Sequence, residues 1–143
     1  MNFIKRIILI LSYIFRLFLA YVYIPHGYEK LTSKINPQEY IDFGLEGDFL
    51  EFYLIWERTN FIWVIGVAQL IGGVLLVFKR TYFFGAVWLL PVSIGMFFCH
   101  VFISHAADFL FFDLIVLLLN LYLLLENFNL IKSTFFQRQK TWI

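Results

Sequence analysis

FIWVIGVAQLIGGVLLVFKRTYFFGAVWLLPVSIGMFFCHVFIS, residues 61–104, reads as two apolar runs joined by a short basic turn. The first, Phe61 to Phe78, has Gln69 as its only strongly polar residue. The second, Tyr82 to Ser104, carries Ser93 and His100, and Lys79 and Arg80 stand between the two. About 20 helical residues cross ~30 Å of hydrocarbon, with roughly 17–25 workable, and both runs have that length. Two further runs flank them. Ile7 to Leu31 is interrupted by Arg16 and by Pro25, His26, Gly27, Glu29 and Lys30, while Phe109 to Leu125 carries Asp113 and Asn120. One such run also suits a buried helix of a soluble protein; four within 143 residues do not. Backbone groups in lipid must be satisfied within each segment, which requires helices, and the runs are too long and uniform for barrel strands. The sequence therefore predicts an all-α, integral membrane four-helix up-and-down bundle. It forms a single domain over residues 1–143, with spans about 7–31, 61–78, 82–104 and 109–125. An extracytoplasmic first loop, 32–60, contains short helical segments, and residues 126–143 form a cytoplasmic tail.

Composition agrees. Hydrophobic residues make up 62% and charged residues 15%, against about half and a quarter in soluble domains, and mean hydropathy is +0.81. A net charge of +1 provides no basic field to hold nucleic acid. The single cysteine, Cys99, excludes an internal disulfide, a CxxC redox pair and a cysteine-rich zinc site. The sequence has no GxSxG, P-loop, GxGxxG or HExxH, and the chain reads as a non-enzyme by itself.

Loop charges set the orientation. Lys5, Arg6, Lys79, Arg80, Lys132, Arg138 and Lys140 fall on one side if the spans alternate, and only Lys30, Lys34 and Arg58 fall on the other. Both termini are thus expected in the cytoplasm. Span one starts with basic residues but is too long for a signal peptide and carries Arg16, so it reads as a retained helix. In the first loop, Asn36-Pro37-Gln38-Glu39 has the form of a helix start, with Gly44 as a stop. Asp48 to Arg58 is rich in aromatic and aliphatic residues. It either lies on the interface and caps the bundle mouth or extends span two.

Ionisable residues within a membrane cost roughly 2.5–3.5 kcal/mol each at the helix centre and turn toward the bundle interior. At 1.5 Å per residue, His26 lies about 7 Å below the outer end of its span, and His100 and Asp113 about 6 Å below theirs. Glu29, His105 and Asp108 sit at the mouth. Arg16, Gln69, Ser93 and Asn120 form a deeper tier. Helical phase gives each span one polar or small stripe: Ser12, Arg16, Tyr23, Gly27 and Lys30; Gly66, Gln69 and Gly73; Ser93, Met96 and His100; Asp113 and Asn120. Small residues there permit close packing, and Pro25 and Pro91 should kink their helices. The ligand-binding candidates are His26, Glu29, His100, Asp113, Arg16 and Gln69. They describe an outward-opening pocket whose histidines and Asp113 donate to, or exchange protons with, a polar head such as a quinone carbonyl. Quinone is the favoured cofactor class, ahead of haem or a metal, because no helix carries ligand spacing. The structural alternative is interhelical bonding worth about 1 kcal/mol per group. Arg16 needs an acceptor: Gln69, Asn120, Asp113, backbone carbonyls or a ligand anion.

Two segments bear a family resemblance. Arg16 to Leu31, RLFLAYVYIPHGYEKL, ends in a Gly27-Tyr28-Glu29-Lys30 glycine-x-x-lysine pattern, and Gly66 to Arg80, GVAQLIGGVLLVFKR, has a glycine pair and a basic turn. With the long outer first loop, these resemble the DoxX-like family of small bacterial four-helix membrane proteins. One departure is Gln69, where the family often has an acidic residue before the glycine pair. The family is named for a subunit of a thiosulfate:quinone oxidoreductase. The resemblance implies a bacterial cytoplasmic (inner) membrane location and a quinone- or lipid-binding subunit of a membrane redox complex. Its partners would be the lipid bilayer and other redox subunits or further copies of itself. The alternatives are a non-catalytic scaffold or assembly subunit and a small-molecule transporter, since one fold hosts many functions.

Overall fold

The computed structural model describes residues 3–135, all helix and connecting turns, with no strand among them. The elements are α1 (Phe3–Thr32), α2 (Pro37–Asp42), α3 (Asp48–Arg58), α4 (Phe61–Val77), α5 (Tyr82–Cys99), α6 (Ala107–Leu125) and α7 (Phe128–Phe135). A π-helical turn, His100–Ser104, continues α5. Three helices are long and apolar enough to cross a membrane. A fourth span arises if α3 and α4, bent 89° from each other, count as one.

Local chemistry sets the breaks. The Asn36 side chain accepts from the Gln38 N–H at 3.2 Å, with Pro37 in the first turn of α2, as its sequence signature requires. Gly44 and Gly47 follow at φ +70 and +68, conformations that cost glycine nothing. Thr59 and Asn60 form the corner between α3 and α4, and Asn60 takes the left-handed conformation at φ 60, which asparagine tolerates better than most residues. Both α1 and α5 continue as helix through Pro25 and Pro91.

Packing follows the small and polar stripes. Gly27 of α1 and Gly66 of α4 abut so closely that a Cβ on Gly27 would lie 2.7 Å from the Gly66 carbonyl oxygen. Gly85 of α5 abuts Gly72 of α4 in the same way, at 2.9 Å. Asn120 of α6 donates to the Ala86 carbonyl and to Ser93 Oγ of α5. A core of Leu19, Tyr23, Leu76, Leu89, Val116 and Leu123 joins α1, α4, α5 and α6. The outward side chains Trp63, Phe84, Phe102, Phe111 and Leu118 are exposed. That much continuous apolar surface would be a liability in water and suits lipid.

The sequence boundaries shift slightly. The last long helix begins at Ala107 rather than Phe109, and the second ends at Val77. The expected tail contains a further helix, α7. Of its basic residues, Arg138 and Lys140 lie outside the described residues. Asp48–Arg58 neither floats nor extends α4 in a straight line. It folds over the end of the helices, where Phe49 and Tyr53 join Leu45 and Ile62 in a second core with Met96, Cys99 and Phe109 against it.

Candidate functional site

Beneath α2 and α3 lies a cavity of about 570 Å³. Tyr23, Gln69, Ser93 and Val116 are its buried or half-buried apolar and polar members from the four long helices, and Phe49, Tyr53, Phe109 and Phe112 give it aromatic walls. The glycine contact between α1 and α4 lets Tyr23 and Gln69 share one space, because close backbones leave short side-chain paths.

His100 is the most constrained group in it. Its ring is 3% exposed and stacked between Phe49 of α3, centroids 4.9 Å apart, and Phe109 of α6, 5.4 Å apart. Nδ1 lies 2.6 Å from Ser104 Oγ, one turn on in the π-helical segment. Ser104 Oγ also accepts from the Ala106 N–H. The hydroxyl has one donor and a further lone pair for Nδ1, and this contact holds the ring in place. Nε2 faces Asp113 Oδ2 at 3.6 Å, too far for a hydrogen bond.

Buried polar atoms are nearly always hydrogen-bonded. Here Tyr23 Oη, Gln69 Oε1 and Asp113 Oδ2 are buried without a partner, and all three residues line the cavity from different helices. Lys30 also lines it, half-buried. Asn120 Oδ1 is unpartnered too, but Asn120 is not among the cavity's lining residues.

Of the candidate residues, the structure brings His100, Asp113 and Gln69 into one cavity, keeps Glu29 at its mouth, moves His26 there too, and places Arg16 elsewhere. His26 and Glu29 reach the cavity only at its rim, paired at 3.6 Å with side chains 56% and 63% exposed. His26 is one residue, about 100° of helix, from Gly27 on the packed stripe, so it turns out of the interior. Arg16 does not line the cavity. Its Nε and Nη2 donate to the Leu76 and Val77 carbonyls at 3.0 and 2.9 Å, and its guanidinium lies 4.3 Å from the Tyr82 ring centroid. It caps the C-terminal end of α4, where carbonyls lack intrahelical partners and the dipole favours a cation. Haem or metal fits poorly. Nδ1 of His100 is engaged by Ser104, and no cluster of three His, Cys, Asp or Glu side chains placed to hold a metal occurs among the described residues.

Sequence reasoning left several cavity residues out of the site, Tyr23, Lys30, Tyr53 and Tyr40 among them. Tyr23 and Lys30 share the buried stripe of α1, so their phase pointed to it. Tyr53, whose hydroxyl donates to the Met96 sulfur at 3.5 Å, had no signal beyond its aromatic surroundings. On α2, Tyr40 is half-buried over the cavity, and burial, with Glu29, Glu39 and Glu57 nearby, pushes its phenol up to about 12.

Against known proteins, the DoxX family model matches residues 11–101, which takes in α1 from Leu11 onward, the loop helices, α4 and α5. No curated protein and no solved structure matches the chain. The match covers more than half of the sequence, and the chain belongs to the DoxX family.

Proposed function

We propose that this DoxX-family chain is a four-span, up-and-down protein of the bacterial inner membrane with both termini in the cytoplasm, whose outer cavity binds an amphipathic small molecule of the quinone class. The antiparallel run of contacts supports the topology. Arg16 meets Val77 while Gly27 meets Gly66; Tyr82 meets Asn127 while His100 meets Asp113; and Ser12 meets Glu126. The distribution of lysine and arginine supports the orientation. The first loop then closes the outer end.

The observation that carries the binding role is the convergence of three unpartnered polar atoms, from Tyr23, Gln69 and Asp113, in one aromatic-walled cavity. Each lost hydrogen bond costs about 1–3 kcal/mol, and a polar head entering from above would recover that cost. The volume falls within the few-hundred to roughly 1,000 Å³ range of ligand pockets. Gln69, Asp113, His100 and Lys30 would hold the head, with His26 and Glu29 at the entrance. The membrane redox role is the one this site serves best: a subunit that holds the carrier for a partner.

Calorimetric titration of the detergent-solubilised protein with a decyl-tailed benzoquinone tests this. Saturable binding is expected, weakened about tenfold in Gln69→Leu, which removes one polar partner. Absence of saturable binding, together with a stoichiometric protein partner in native mass spectra, would transfer the reading to a scaffold subunit.

A further inference from the structure

The hydrogen-bonding polarity of the cavity narrows its ligand. Asp113 Oδ2 is buried and unpartnered, and the ring nitrogen facing it, His100 Nε2, stands off at 3.6 Å. That ring cannot swing closer, being clamped between Phe49 and Phe109 and tied to Ser104. An ionised carboxylate only accepts; an amide presents either face and a phenol either gives or takes. Gln69 and Tyr23 can therefore adapt to a ligand, and Asp113 cannot. While Asp113 is ionised, whatever occupies that end of the cavity has to donate to it.

Charge narrows it again. Lys30 and Asp113 are the lysine and the carboxylate of the lining that are not exposed, while Glu29, Lys34, Glu39 and Asp108 stand exposed at the rim, so the interior charges balance and a cationic head meets Lys30. An anionic head meets Asp113 in the same way. A neutral hydroxyl remains, and Phe49, Tyr53, Phe109 and Phe112 favour a flat ring behind it. We infer that the cavity selects the hydroxyl-bearing, reduced form of an aromatic ligand, a hydroquinone or a related phenol, over the carbonyl-bearing quinone, and that Asp113 is the selecting group. The inference rests on the quinone-class reading of the cavity and adds the redox state to it. A tenfold preference for the reduced form raises the midpoint potential of the bound two-electron couple by about 30 mV.

The test compares three ligands of one shape on the detergent-solubilised protein at pH 8 without oxygen: the decyl-tailed hydroquinone, the matching benzoquinone, and the hydroquinone's dimethyl ether. A hydrogen bond to a charged acceptor predicts at least about tenfold tighter binding of the hydroquinone than of either analogue. In Asp113→Asn, whose amide can donate to a carbonyl, the hydroquinone-to-quinone ratio should fall to within about twofold. Equal or tighter binding of the quinone by wild type overturns the inference. So does an unchanged ratio in Asp113→Asn that elutes as a monodisperse species. If that variant does not fold, the ether decides, because an ether that binds as well as the hydroquinone removes the donor requirement. If both redox forms bind alike, only the inference fails; if neither binds, the quinone-class reading fails with it.

Discussion

Replacing Gly27 with alanine should separate α1 from α4. A Cβ there would stand 2.7 Å from the Gly66 oxygen and 2.8 Å from the Leu70 nitrogen, both backbone atoms, and 3.1 Å from Gln69 Cβ. Ordinary contact begins near 3.4 Å, so the helices must part by about 0.7 Å at that level. Backbone cannot rotate away as a leucine tip can, and the strain spreads along the interface. Overpacking of this kind costs roughly 1–3 kcal/mol. Gly95 is the internal control: a Cβ there meets nothing within 4 Å, and alanine in an open helical position gains about 0.5–1 kcal/mol. The two substitutions, chemically identical, should therefore move stability in opposite directions. Reversible SDS unfolding in mixed micelles, followed by circular dichroism, would measure both. Gly27→Ala as stable as wild type, or less damaging than Gly95→Ala, would refute the backbone-contact argument. The displacement should also weaken ligand binding, because Tyr23 and Lys30 ride on α1 and Gln69 on α4.

Three further outcomes follow from other parts of the molecule. Arg16→Leu orphans the Leu76 and Val77 carbonyls, at roughly 1–3 kcal/mol each, and should lower stability in the same unfolding assay. The folded remainder should bind ligand normally, since Arg16 does not line the outer cavity. Tyr40, raised to about 12, ionises in the unfolded chain near pH 10 and later in the folded one. Stability should be unaffected below pH 10 and fall between about pH 10 and 12; a Tyr40→Phe protein with the same loss over that range would show another group responsible. With Cys99 replaced by alanine, a membrane-impermeant maleimide applied to intact cells should label Lys34→Cys and spare Lys79→Cys; the reverse pattern would invert the orientation.

Much of the fold was legible because membrane helices obey a simple rule: the buried stripe is small or polar and the remainder is apolar. Ser12, Arg16, Tyr23 and Gly27 were placed on one face by spacing alone, and all four are buried. The helix start at Asn36 and stop at Gly44 were equally readable, since each depends on its own few residues. What spacing could not supply was tertiary geometry. Depth alone put His26 near His100, but its position one residue off the packed stripe turns it to the rim. Arg16 was expected to seek an acceptor, and which one depended on α4 ending beside it. The π-helical turn after Cys99 has no short-range sequence signature, yet it sets His100 against Phe49, about a third of the chain away. The 89° corner at Thr59 and Asn60 decided between two readings of Asp48–Arg58 that the hydrophobic pattern left equal.

The brevity of α4 affects how the protein fits its bilayer. Its 17 residues span only about 25 Å at 1.5 Å each, less than the ~30 Å of a typical hydrocarbon layer. Hydrophobic mismatch of this sign is relieved by thinning the surrounding lipid, at a fraction of a kcal/mol per ångström. At one end of α4 the chain turns aside into α3, and at the other Arg16 meets the last carbonyls. Local thinning there would bring headgroups and water toward the guanidinium, so the arginine would not bear the full cost of a charge at the membrane midplane. A thicker, stiffer membrane would have to deform further around this one helix or pull Arg16 from its carbonyls, which gives the short span a preference for thin bilayers.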